Sequence, residues 1–244
     1  MSEVREEYTR ETYPSFGKKY NGEKAIISLT SWRARINTVS KTLYSLIKQC
    51  PGFHIVLVLS EEEFPKMMDE LPDNLKLFVD NELIEVLWVY KNYKAFKKWI
   101  FTADKYRDVP IITADDGCVY TENFVEKLYN NWLKNKNKII SSYKVVVKNF
   151  VYGGGGRGIL FPPNCFENYG IFLLKKHFKE IISNNQDDGL YGVLSKKLNI
   201  NWLFINKINK DNFINIEEAE AFGLYRNKKY TLDDISIFRK LISI

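Results

Sequence analysis

The sequence predicts an α/β fold, a mainly parallel sheet covered by helices on both faces in a single domain. Three observations carry that prediction. Short continuous apolar runs, such as Ala25–Leu29 and Ile55–Leu59, recur along the chain, as expected of strands buried on both faces. Stretches with apolar residues at helical spacing alternate with them. The 244 residues are 45% hydrophobic and 27% charged, a composition that builds a globular core and excludes a disordered, collagen-like or coiled-coil chain.

Taken in order, Ala25-Ile26-Ile27-Ser28-Leu29 is the first strand, and Ile36, Val39, Leu43, Leu46 and Ile47 then fall on one helical face. His54–Leu59 is a second strand and Leu83–Val89 a third. Phe96, Trp99, Ile100 and Ala103 suit a helix, Val109–Thr113 a fourth strand, and Phe124, Val125, Leu128, Tyr129 and Trp132 another helix. Ile139–Val147 reads as extended and is followed by glycine-rich Gly153–Gly158 and Ile159-Leu160-Phe161. Helices are expected over Phe172–Ile182 and from Gln186, and a short strand over Trp202–Ile205. Thr231 and Asp234 resemble a capping box for a C-terminal helix. The expected organisation is an N-terminal arm over 1–23, a main α/β domain over 24–205 and a C-terminal extension over 206–244 ending in an amphipathic helix. In such sheets ligands bind at the carboxyl ends of the strands, which points to Thr30–Arg35, Ser60, Val89–Tyr93 and Asp115–Gly117.

The chain carries 36 Lys and Arg against 30 Asp and Glu, a formal net charge of +6. That excess suits nucleic acid, an anionic membrane surface or a phosphorylated ligand. The basic residues are spread and interrupted by acids, unlike the basic stripe with aromatic platforms that nucleic acid requires; no nucleic-acid partner is expected. Cys50, Cys118 and Cys165 are too few for a disulfide framework. No apolar run approaches the roughly 20 residues that span a bilayer, and the polar start is no signal peptide. A cytoplasmic location is the expectation, with peripheral membrane contact left open.

Four constellations could carry chemistry. Asp115-Asp116-Gly117 ends a buried strand, and adjacent carboxylates repel unless a cation joins them; Mg²⁺ or Mn²⁺ prefers such oxygen ligands. The alternative is an acidic turn or cap. Asp187-Asp188 precedes Gly189-Leu190-Tyr191 and reads either as a helix cap or as a general base for a hydroxyl. Gly153–Gly158 holds Arg157, a side chain suited to phosphate, within a segment that otherwise reads as a flexible hairpin. Ser31-Trp32-Arg33-Ala34-Arg35 puts two arginines after the first strand, suited to a phosphate or simply solvated. Lys97-Lys98 by itself reads as a solvated helix face, and His54 as structural.

In order, these segments resemble a family of small GT-A-type glycosyltransferases of glycan and capsule-type biosynthesis. The resemblance lies in Ile27-Ser28-Leu29-Thr30-Ser31-Trp32-Arg33-Ala34-Arg35-Ile36, where Arg33 replaces the family's usual proline, and in Leu59-Ser60 through Phe64-Pro65. It continues in Leu71-Pro72, Phe96-Lys97-Lys98-Trp99-Ile100, Ile112-Thr113-Ala114-Asp115-Asp116, the glycine-rich run to Pro162-Pro163, and Asp187-Asp188. It covers roughly residues 24–205, with these motifs in the right order.

The resemblance implies a GT-A-like fold and transfer of a sugar from a nucleotide-sugar donor to a hydroxyl of a glycan or other acceptor, with inversion. It places Asp115 and Asp116 at the metal and nucleotide end of the site, with Mn²⁺ or Mg²⁺ between them and the diphosphate. Thr30, Ser31 and Arg35 would line the nucleotide, Lys98 and Arg157 would neutralise phosphate, and Asp187 or Asp188 would take the acceptor's proton. Gly117 departs from the family's third acidic residue. If that position is a ligand, the site binds metal weakly, uses Asp116 alone with the diphosphate, or depends on basic residues instead. Two other functions compete: a sugar-phosphate nucleotidyltransferase, which would carry its glycine-rich loop after the first strand, and a basic nucleic-acid-binding protein.

Overall fold

The structure, a computed structural model, describes residues 12–49, 51–147, 150–154, 158–166, 187–205 and 213–222. The helices expected over Phe172–Ile182 and from Thr231 lie outside these residues, as do Cys50, Arg157 and His177.

Among the described residues, eight strands form one sheet. Its centre is parallel: β2 (Ala25–Thr30), β3 (Phe53–Ser60), β4 (Glu85–Val89) and β5 (Ile111–Thr113) lie in the order β4-β3-β2-β5. The chain therefore builds outward from β2 in one direction, then returns to add β5 on its other side. This is the strand order of a doubly wound sheet, and the crevice between β2 and β5 is its switch point. β1 (Ser15–Gly17) adds antiparallel to β4 at one edge. On the other side β10 (Ile159–Phe161) runs antiparallel between β5 and β7 (Ile139–Ser141), and β11 (Trp202–Phe204) closes the edge parallel to β7.

Helices cover both faces, which is why the central strands are buried along nearly their whole length and mostly apolar, rather than apolar only at alternate positions. All eight residues of β3 are buried. On one face α3 (Lys97–Lys105) lies across β2, β3 and β5. There Trp99 and Ile100, with Tyr191 and Leu194 of α5 (Asp187–Lys197), pack on Ile26, Val56, Val58 and Leu87. On the other face α1 (Val39–Ile47), α2 (Asp73–Asp80) and α4 (Phe124–Leu133) bring Leu43, Leu46, Leu75 and Leu128 onto Ile27, Leu29, Ile55 and Val86. The period-2 alternation of β2 and β3 thus splits the core into two layers.

Three features differ from the sequence expectation. Ser15–Gly17, inside the segment read as an arm, is the sheet's edge strand. The extended run over Ile139–Val147 divides: β7 joins the main sheet, whereas β8 (Lys144–Val147) pairs with β9 (Phe150–Gly153) in a separate two-stranded sheet. The flanking glycines have a packing role. A Cβ on Gly153 would meet Ser141 and Trp202 at 2.5 Å, and Gly158, at φ 92°, would press one into the Phe124 ring. Finally, β12 (Phe213–Asn215), in the segment read as a C-terminal extension, pairs with β6 (Cys118–Tyr120) and leads into α6 (Glu217–Glu220).

Candidate active site

A cavity of about 730 Å³ opens at the carboxyl ends of the parallel strands, over the switch point between β2 and β5. Its volume is in the range of small-molecule sites. Thr30, Ser31 and Arg35, at and beyond the end of β2, form one wall, and Asp115, Asp116 and Gly117, beyond the end of β5, form the floor. The first turn of α3 supplies Lys97 and Lys98. Of the residues predicted for the site, Thr30, Ser31, Arg35, Lys98, Asp115 and Asp116 thus line one cavity. The other three fall differently. Asp187 sits one layer behind, against Lys98. Asp188 is buried beside it and does not line the cavity, and Arg157 is outside the described residues.

The floor is built on ion pairs. Asp116 accepts from Arg35 Nη1 and from Ser31 Oγ, each at 2.7 Å, so both of its oxygens are engaged. The Thr42 hydroxyl of α1 donates to the Asp116 carbonyl at 3.1 Å, and the Tyr120 hydroxyl of β6 accepts from the Asp115 backbone N–H at 2.8 Å. These contacts fix the acidic turn from two neighbouring elements. Burial raises the Asp116 carboxyl above its ordinary value, and Arg35 and Ser31 offset only part of that. Asp115 is the more open of the pair, its side chain 30% exposed.

Lys98 joins the two acidic pairs found in the sequence. Its Nζ lies 2.7 Å from Asp115 Oδ1 and 3.0 Å from Asp187 Oδ2, with Asp187 only 1% exposed. Burial disfavours the ammonium, but Asp115, Asp187 and Asp188 outweigh that and hold Lys98 well above the ordinary lysine range. Lys97 is the contrasting case. It donates to Glu63 Oε2 at 3.1 Å and Asn92 Oδ1 at 2.9 Å, yet burial wins and its value is lowered. Neither lysine is on a solvated face, as spacing alone suggested; both are buried. Cations in the first turn of a helix also oppose its dipole. Lys97 is held there against both desolvation and dipole, whereas the carboxylates around Lys98 outweigh its desolvation.

Several lining residues were not legible in the sequence. Glu63 belongs to the acidic run Glu61-Glu62-Glu63 just beyond β3, and its meaning comes from Lys97. Asn215 and Glu220 reach the cavity because β12 pairs with β6, a contact about 95 residues apart in sequence that no local pattern announces. Trp32 and Asn92, by contrast, fall within the strand-end segments Thr30–Arg35 and Val89–Tyr93 that the sequence points to, and they line the cavity as well.

The side chains present fit a resident divalent cation poorly. Asp116 has both oxygens committed, and Asp115 Oδ1 is held by Lys98. Among the described residues no group of three His, Cys, Asp or Glu side chains converges on one point. The Lys98 ammonium beside Asp115 also repels a second cation. No helix among the described residues is long and apolar enough to cross a membrane.

No protein-family profile matches the sequence, and no curated protein matches it. Solved structures do resemble it. The glycosyltransferase GlyE of Streptococcus pneumoniae TIGR4 is 13% identical, with a TM-score of 0.49 over 76% of this chain and 46% of that one. A mannosyltransferase of Pyrobaculum calidifontis, PcManGT, solved with GDP-Man and Mn²⁺, is 11% identical, with a TM-score of 0.49 over 79% and 57%. The galactosyltransferase LgtC, solved with donor and acceptor sugar analogues, is 9% identical, with a TM-score of 0.46 over 70% and 69%. This chain spans about half the length of the first two. At these values the likeness says nothing of chemistry.

Proposed function

We propose that this chain is a glycosyltransferase that moves a sugar from a nucleotide-diphosphate donor to an acceptor hydroxyl. The observation that supports it is the convergence, at the switch point of a doubly wound sheet, of the Asp115–Asp116 pair with Arg35, Lys97 and Lys98. Strand ends that cross over at this point leave a crevice suited to a nucleotide. Fixed cations at its floor suit a diphosphate, whose negative charge grows as the sugar leaves.

In the reaction the acceptor oxygen attacks the anomeric carbon as the bond from that carbon to the diphosphate oxygen breaks. The nucleoside diphosphate departs with the bonding electrons, and the acceptor's proton passes to a carboxylate; Asp187 or Asp188 is proposed for that role on the resemblance, although both lie buried behind Lys98 and neither lines the cavity. Attack from the face opposite the leaving group inverts the anomeric centre. Thr30, Ser31 and Arg35 line the nucleotide, with Asp115 beside its sugar or diphosphate. Arg157 is proposed as a further phosphate contact from the glycine-rich segment. A bound Mg²⁺ or Mn²⁺ would supply Lewis-acid stabilisation of the diphosphate; because the donor set fits it poorly, no step here depends on it.

The nucleotidyltransferase alternative requires a glycine-rich loop after the first strand, where this chain has the Trp32–Arg35 turn. The deciding experiment is a panel of UDP-, GDP- and dTDP-sugars assayed for release of nucleoside diphosphate, with and without Mn²⁺. Release from at least one donor is expected. Release of pyrophosphate from a nucleoside triphosphate and a sugar phosphate, with no nucleoside diphosphate from any sugar nucleotide, would sink the proposal.

A further inference from the structure

We infer that Arg35 takes the place a metal ion would have, so that this chain binds its donor's diphosphate without a divalent cation. The inference rests on the proposed function and says how the site handles charge.

The space over the acidic turn is already filled. A Cβ built on Gly117 would lie 3.3 Å from Arg35 Nη1 and 3.6 Å from its Cζ. The guanidinium therefore stands where a third acidic side chain, following Asp115 and Asp116, would project. A glycine at 117 and an arginine at 35 form one steric unit: the small residue makes room for the large cation.

Arg35 also has donors to spare. Only Nη1 is committed, to Asp116, and Nε is buried with no acceptor among the described residues. A guanidinium offers five N–H donors in a rigid fork that matches phosphate oxygens in pairs. Arg35 lines the cavity with part of its side chain exposed, so the N–H donors that Asp116 does not take can meet a phosphate oxygen there. The two lysines differ in this respect. Lys97 is engaged by Glu63 and Asn92, and Lys98 by Asp115 and Asp187.

The guanidinium is held in place before any ligand arrives. The Arg35 backbone N–H closes a turn onto the Trp32 carbonyl at 2.9 Å, and Asp116 clamps the side chain from below. A cation positioned in this way needs no reorganisation as charge develops on the leaving diphosphate. The carboxylates that would have to release their partners to take a metal are the same ones that fix Arg35 and Lys98.

The test is nucleotide binding, measured by calorimetry and thermal shift with UDP, GDP and dTDP, in EDTA and in Mn²⁺. One nucleotide is expected to bind with affinities within about threefold in the two conditions, roughly 0.6 kcal/mol at most. Arg35→Gln should weaken binding about 10- to 100-fold in EDTA, the worth of a charge-assisted hydrogen bond, and Mn²⁺ should not restore it. Arg35→Lys should recover only part, since an ammonium lacks the fork. Binding at least tenfold tighter in Mn²⁺ would overturn the inference while leaving the glycosyltransferase reading standing. Unaltered binding by Arg35→Gln in EDTA would also overturn it. No binding of any nucleotide in either condition would overturn the functional reading, and the inference with it. The wild-type comparison needs no variant and decides the matter even if Arg35→Gln folds poorly.

Discussion

Helix α3 carries lysines at both ends, and each end is set against a different group of carboxylates. At its first turn Lys97 and Lys98 meet Glu63, Asp115 and Asp187 at the cavity. In its last turn Lys105 lies 2.5 Å from Glu85 Oε1, while Glu85 Oε2 is 2.7 Å from His54 Nε2 and accepts from the Tyr106 hydroxyl. The second group sits at the amino ends of β3 and β4, where the Tyr20 and Tyr106 rings close over His54. Glu85 gains from these partners: burial alone would raise its carboxyl, but His54, Lys105 and Tyr106 bring it below the ordinary value. At the cavity, by contrast, Asp116 stays above its ordinary value and Lys97 below its own. Both of these groups are charged at a cost. One end of the helix uses buried charge to hold the fold; the other sets a stabilising ion-pair centre at Lys98 beside two groups, Asp116 and Lys97, whose charge is held at a cost.

The largest effect expected from breaking this contrast lies at the cavity. Of Asp187→Asn and Asp188→Asn, made separately, one should lower turnover by about 10²- to 10⁴-fold, the usual worth of a general base, and the other should have a milder effect. Asp187→Asn should in addition lower the melting temperature, since Asp187 is 1% exposed and ion-paired to Lys98. Steady-state kinetics beside thermal unfolding would check both. Equal, small losses in turnover would return the pair to helix capping.

Lys98→Met comes next. It strands Asp115 and Asp187 without their shared cation, and removing one partner of a buried pair costs about 3–5 kcal/mol. Urea unfolding should show that loss, and adding Asp187→Asn should recover part of it. Strict additivity of the two substitutions would mean that the pair is not coupled.

A smaller effect is expected at the opposite end of the helix. Glu85→Gln should cost about 2–3 kcal/mol, the range for hydrogen bonds to a charged group, while turnover per folded molecule stays at the wild-type value. A drop in turnover without a drop in stability would erase the distinction between the two ends.

The difference between the ends also governs how much could be read from sequence. The parallel strands were legible because both of their faces are buried, and a short continuous apolar run such as Ile55–Leu59, flanked by polar residues, is what a strand buried on both faces looks like. The acidic turn was legible because Asp115-Asp116 ends such a strand. The lysines were not, because a Lys-Lys pair at helical spacing gives no hint of burial until Glu63 and Asp187, 34 and 89 residues away, are brought beside it. His54 was legible as structural from its apolar strand, but its partner Glu85 was not. Asn215 and Glu220 were placed outside the catalytic domain because their role depends on a long-range strand pairing.

The finest test uses pH and two isosteric substitutions. Glu85 has a folded value below its ordinary 4.5, so its stabilising contribution is complete above that pH and is lost as pH falls through the folded value. The stability gap between wild type and Glu85→Gln should therefore close on acidification. Asp116 has a folded value above its ordinary 3.8, so the folded state binds the extra proton, and stability falls as pH rises from 3.8 through the folded value. Asp116→Asn resembles the protonated form. At pH 7 it should melt at or above the wild-type temperature and release no nucleoside diphosphate, with the stability difference disappearing in acid. Chemical unfolding of the three proteins from about pH 3.5 to 7 reads both trends. If Asp116→Asn instead lost stability at neutral pH and recovered it in acid, as Glu85→Gln should, Asp116 would belong with the groups that hold the fold, and the contrast between the two ends of α3 would fail.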